Sequence, residues 1–207
     1  MFSRKLWGVF ALTIAIGLFG SPVAAESASH PAVPVVEDLH VSMLETMKNA
    51  DELGYSGRYD KLADALTVSF DLAFMAQKAV GRNWKKFTPE EQAHWRSSFE
   101  NVTAANYAGR FTGYTGQSFE TLGTEPSSHD TIIVRTRLLN PDGEDVDLNY
   151  RLRETPEGWR IIDVYLNGTV SELALRRSEY SSLIKRDGFQ RLVESVDKRV
   201  ADLSAVN

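Results

Sequence analysis

Four histidines, His30, His40, His94 and His129, are the side chains best able to move a proton near neutral pH, but they fall in separate segments. Their spacing holds no metal site and builds no relay, and His30 and His129 read as solvated loop residues. Two acids carry more local information. Asp71 stands directly before an apolar helical run, where a carboxylate caps the first backbone N–H groups. Asp163 lies on a strand near several arginines and is expected in a structural ion pair. Arg110 falls beside the apolar stripe of a long helix, placed to snorkel at a rim or to touch an anionic ligand. There is no G-x-G-x-x-G, no P-loop and no G-x-S-x-G elbow, which Gly54-Tyr55-Ser56-Gly57 misses by one position. With no cysteine, disulfides, thiolate metal sites and cysteine nucleophiles are excluded. These residues point to no metal and no cofactor. What remains for function is apolar surface.

The elements that position those residues follow from periodicity. Arg4 and Lys5 precede an apolar run from Leu6 to Phe19, and Val23-Ala24-Ala25 ends it, so residues 1–25 read as a cleavable secretory leader cut after Ala25. A run of this length is too short to span a bilayer. Export without cysteine suits a bacterial periplasm. Residues 26–33 read as a flexible lead-in, and residues 34–207 as one domain. The 207-residue chain, 43% hydrophobic and 25% charged, has the composition of a folded protein, and its net charge of -5 argues against nucleic acid as a partner.

From Pro34, apolar positions at helical spacing predict a first helix, a break over 51–57, a second helix to about Val68, and a third from Asp71 to a stop at Gly81. Thr88-Pro89-Glu90-Glu91 is a capping box opening a long helix expected to reach Tyr114, with Trp95, Phe99, Val102, Asn106 and Tyr107 on its buried stripe. A weak strand is expected over 117–123. Beyond Thr131 the period becomes 2, and Pro141-Asp142-Gly143 predicts a hairpin loop with Gly143 left-handed. That loop sets Leu138 against Val146, Thr136 against Leu148, Val134 against Tyr150, Ile132 against Leu152 and Arg137 against Asp147. Ile162, Val164 and Leu166 should extend the same inner face, with Trp159, Ile161 and Asp163 on the other. Ser171 caps a further helix, and Gly188 divides it from a terminal one. Helices, about four antiparallel strands and helices again give an α+β fold.

The inner sheet face (Val134, Val146, Leu148, Tyr150, Ile162, Val164, Leu166) and the large side chains Phe70, Phe74, Met75, Trp84, Phe99, Val102, Tyr107, Phe111 and Tyr180 make either a filled core or a core opened into a cavity. Periodicity does not separate the two. The order Phe70-Asp71, Val80-Gly81-Arg82-Asn83-Trp84, Thr88-Pro89-Glu90-Glu91, Asn106-Tyr107-Ala108, Gly158-Trp159-Arg160-Ile161-Ile162-Asp163-Val164, Leu166-Asn167-Gly168-Thr169-Val170-Ser171 and Arg176-Arg177-Ser178-Glu179-Tyr180 resembles the MlaC family. These are periplasmic phospholipid-binding proteins, also called toluene-tolerance auxiliary proteins, with the hopanoid-associated HpnM proteins as a related branch. The likeness runs from Val36 to Leu203. It departs at Gly168-Thr169-Val170-Ser171, one residue longer than the usual Gly-Val-Ser, and at Arg176-Arg177, where Tyr-Arg is common.

The resemblance implies a cone similar in shape to NTF2-like proteins, in which the apolar residues above hold the tails of a phospholipid or hopanoid-type lipid and Arg110 lies at the head-group rim. It further implies a monomeric carrier, not an enzyme, working between an outer-membrane lipoprotein complex and an inner-membrane ABC transporter complex. The reading from another class is an NTF2-like enzyme acting on an apolar substrate, with Tyr150 as proton donor and a pocket carboxylate as base. A third is an interaction module with a filled core.

Overall fold

The computed structural model describes residues 30–206, so the expected leader and residues 26–29 of the lead-in lie outside the described residues. Five helices enclose one antiparallel sheet in an α+β arrangement. Helix α1 (Val33–Lys48) carries proline in its first turn. The lead-in is shorter than expected: Ala32 is fully buried and the His30 ring meets Trp159 edge-on at 4.9 Å. The predicted break over 51–57 is only a kink at Gly54, φ 56°, inside α2 (Ala50–Ser69). The buried Arg58 holds this corner, donating to the carbonyls of Ala108 at 3.1 Å and Ala50 at 3.2 Å.

Asp71 caps α3 (Leu72–Val80) by accepting from the Phe74 N–H at 2.9 Å, and Gly81, φ 55°, ends it. A 3-10 turn (Gly81–Lys86), which has no periodic signature in the sequence, leads to α4 (Pro89–Arg110). Both arms of the predicted capping box are formed there, the Glu91 N–H donating to Thr88 Oγ1 at 3.2 Å and the Thr88 N–H to Glu91 Oε2 at 2.9 Å. Helix α4 stops four residues before Tyr114, because Thr112 and Gly113 are poor helix formers.

Strands β1 (Ser118–Ser127), β2 (Thr131–Leu139), β3 (Val146–Thr155), β4 (Gly158–Leu166) and β5 (Val170–Ser171) pair in chain order. The β2/β3 register is the predicted one throughout, with Arg137 Nε donating to Asp147 Oδ1 at 2.7 Å. Gly143, however, does not take a left-handed φ. Six residues separate β2 from β3, and the Asp145 carboxylate accepts the Asn140 N–H at 3.0 Å, so the loop closes without a left-handed residue. Strand β1 is longer than expected and bulges at Leu122. Strand β5, a fifth and very short strand, follows a turn in which Asn167 and Gly168 both have positive φ.

A second bulge changes the assignment of β4. Val164 pairs with Tyr150 and Asp163 with Arg151, but Leu152 then pairs with Ile161, leaving Ile162 as the extra residue. Ile161 therefore turns inward and is fully buried, while Ile162 turns to the outer face. The edge of β4 is met at its other end by Phe70, which bridges to Ile161, and by the Asp71 N–H, which donates to the Ile161 carbonyl at 2.9 Å.

Helix α5 (Glu172–Val206) is one helix interrupted at Gly188, φ 83°. Its cap is shared with the sheet: Ser171 Oγ accepts the Ala174 N–H at 2.9 Å and donates to Asp163 Oδ2 at 2.6 Å. Asp163 also accepts the Leu173 N–H at 3.1 Å and the Val164 N–H at 2.9 Å. Among the described residues it forms none of the ion pairs expected of it, because β5 brings hydroxyl and amide donors closer than any arginine.

Candidate functional site

Between the inner sheet face and helices α3, α4 and α5 lies a cavity of about 100 Å³. Its wall is built from the alternation of β3 and β4, which puts Leu148, Tyr150, Val164 and Leu166 on one side. The helical repeat of α4 puts Phe99, Val102 and Tyr107 on the other, with Arg110 and Phe111 following. Phe70, Met75 and Tyr180 complete the expected set that lines it. The rings pack edge to face: Phe70 on Tyr107 at 6.1 Å between centroids, and Tyr180 on Trp95 at 5.2 Å. Trp95 packs behind the lining residues Phe99 and Tyr180, fully buried, with its indole N–H donating to the Ala76 carbonyl at 2.8 Å.

Five residues expected at the site are elsewhere. Phe74, one residue before the cavity-lining Met75, lies on the other side of α3, partly buried beneath the Arg153 guanidinium at 4.3 Å and the Lys78 ammonium at 4.9 Å. Trp84 belongs to the 3-10 turn, packing against Phe87 and under Arg96 rather than against the sheet. The bulge turns Ile162 outward. Val134 is fully buried in packed side chains, and Val146, at the start of its strand, packs half-buried against the core.

Met43, Thr103, Asn106, Glu172, Leu173 and Arg176 also line the cavity. The polar members gather at the mouth, where Arg110 Nη2 stands 3.9 Å from Glu172 Oε1 and Arg176 Nη1 3.2 Å from Glu179 Oε2. Their convergence depends on α5 crossing α4, which no local spacing encodes.

The interior carries no charge. Burial holds the Tyr107 and Tyr150 phenols well above their ordinary range and pushes Tyr180 up to about 12. Tyr150 Oη is 3.1 Å from His40 Nε2, and burial lowers that imidazole to about 3. His40 also stacks on Phe119 at 3.7 Å between centroids. It is thus a buried, neutral packing residue rather than a solvated one, and the sequence signal for it was its place on the apolar stripe of α1 with Leu39 and Met43. The Tyr150 hydroxyl is engaged by a neutral imidazole, and the carboxylate on the cavity, Glu172, stands at the mouth beside Arg110.

Among the described residues no group of three or more acidic or histidine side chains could hold a metal ion, and no helix is long and apolar enough to cross a membrane. The model of the family described as MlaC protein matches residues 37–198. Among solved structures, the chain is similar to the phospholipid-binding protein from Ralstonia solanacearum in complex with a phospholipid: 25% identity and a TM-score of 0.74, over 84% of this chain and 99% of that one. The search of curated proteins returned no match.

Proposed function

From the premise that this chain belongs to the MlaC family, we propose that it is a phospholipid carrier and not an enzyme. The observation that carries the reading is the division of the site into an uncharged wall and a charged mouth. Leu148, Val164, Phe99 and the protonated tyrosines present an apolar interior to acyl tails, while Arg110, Arg176 and Glu172 meet a head group at the solvent edge. Two tails of roughly 25 to 30 methylenes, at ~0.8 kcal/mol each, gain enough from such a wall to leave a bilayer without a dedicated polar clamp. The cavity of about 100 Å³ has to widen for tails to enter, and its lining includes Met43 and Met75, methionine being the most adaptable of core side chains. The bound phospholipid of the similar Ralstonia solanacearum protein supports the same assignment.

The finer reading follows from the family resemblance and the leader. The protein works as a monomer in the periplasm after cleavage behind Ala25, and exchanges phospholipid or a hopanoid-type lipid between an outer-membrane lipoprotein complex and an inner-membrane ABC transporter complex. Native mass spectrometry of protein purified without detergent tests the carrier reading. A co-purified lipid mass is expected. Its absence, together with no uptake of phospholipid from vesicles by solvent-stripped protein, would leave the filled-core reading standing.

A further inference from the structure

The first half of α5 separates the cavity mouth from a surface of another kind. Arg176 lines the mouth, and Arg177, about 100° further round the helix, lines three adjoining concavities on the far side. Two of these also hold Lys78 from α3, Arg82, Lys85 and Lys86 from the 3-10 turn, and Lys185 from α5, every one of them exposed. Gly81 permits the crowding, since a Cβ at that position would stand 2.9 Å from Arg177 Nε.

Among the described residues these six cations form none of the ion pairs seen elsewhere in the molecule. Lys78 lies over the Phe74 ring, and Lys86 Nζ donates to Asn83 Oδ1 at 3.5 Å. Glu91, the carboxylate lining one of these two concavities, is committed to the cap of α4. On a chain with 28 acidic and 23 basic residues, such a face concentrates positive potential against the net charge.

We propose that this face docks the protein on an anionic lipid bilayer. Its composition favours a bilayer over an acidic protein, because four of the six cations are lysines, a residue depleted from protein interfaces. Flexible ammonium groups carried by three elements need no fixed register, which suits a fluid layer of phosphate groups. The inference goes beyond lipid carriage and holds whatever fills the cavity.

The test mixes the protein with vesicles of phosphatidylcholine alone and with vesicles containing equal parts phosphatidylcholine and phosphatidylglycerol. Sedimentation with the phosphatidylglycerol vesicles at low salt, release at high salt and no sedimentation with phosphatidylcholine are expected. The combined variant Lys85→Gln, Lys86→Gln, Lys185→Gln should weaken that binding about a hundredfold. A control, Arg191→Gln with Lys198→Gln, removes cations that pair with Glu194 and Asp202 and should leave it unchanged. Lipid carried in the cavity, measured by native mass spectrometry, should be the same in all three proteins, which separates loss of docking from loss of carriage. Equal binding to both vesicle types, no binding to either, or an unaffected triple variant would overturn the proposal.

Discussion

Val134 and Val164 flank Tyr150 from the two neighbouring strands, on the same face of the sheet, and yet they belong to different regions. Val134 is fully enclosed by packed side chains, whereas Val164 faces the cavity. Residue type, face and alternation are the same for both. The difference lies in the layer above: α1 closes down through His40, which meets both Phe119 and Tyr150, while α4 and α5 lean together over Val164 and leave a gap. Strand periodicity thus selects the face, and the helices decide which part of that face is packed and which part is open.

The largest expected effect anchors the packed side of that comparison. Trp95→Ala should cost about 3 to 5 kcal/mol, because it removes a fully buried ring and the indole donor to the Ala76 carbonyl; a chemical denaturation midpoint close to wild type would show that the ring behind Phe99 and Tyr180 is not tightly packed. The two valines give the direct contrast. Val134→Trp should overpack its site and destabilise by about 1 to 3 kcal/mol, while Val164→Trp should fill open space, lower the amount of bound lipid and leave the delipidated protein within about 1 kcal/mol of wild type. Equal melting shifts for the two variants would erase the distinction between the regions.

His40, at the border between them, should make stability pH-dependent. The imidazole is held at about 3 against an ordinary 6.5, so between those values the unfolded chain binds a proton that the folded protein does not. Its contribution is complete above pH 6.5 and falls as the pH drops, by up to about 1.4 kcal/mol per unit. Unfolding measured at stepped pH should show a shallower slope in His40→Gln, and an identical slope would place the imidazole in contact with water. The smallest effect belongs to the outer face. Asp71→Ala removes the cap of α3 and the partner of Arg153, at a cost of about 1 kcal/mol, with lipid content unchanged.

Legibility in the sequence followed the locality of the cause. The capping box of α4, the Asp71 and Ser171 caps, the stops at Gly81 and Gly188, and the whole β2/β3 register depend on neighbours within a few residues or on one loop, and each could be read directly. The β4 bulge could not. Ile161 and Ile162 are identical side chains, so moving the inner face from one to the other leaves the hydrophobic pattern unchanged, and the shift becomes visible only once Leu152 is seen opposite Ile161. Eleven of the sixteen apolar residues expected at the site line the cavity, and the exceptions fall where such a local irregularity or a neighbouring layer intervenes. The mouth was hidden for another reason: Glu172 meets Arg110, and Arg176 joins them on the cavity lining, only because α5 crosses α4.

The same Phe70-Asp71 corner that bridges to Ile161 also bears on how crowded copies of the protein behave. A sheet edge with unsatisfied amides is a template for strand addition and aggregation. Here the β4 edge is occupied by β5 at one end and by the corner at the other, and the opposite edge, β1, is broken by the Leu122 bulge and by Pro126 and studded with Glu120 and Glu125. Among the described residues neither margin presents a long flat run of free backbone, so the sheet is guarded against edge-to-edge association whatever its apolar cavity holds.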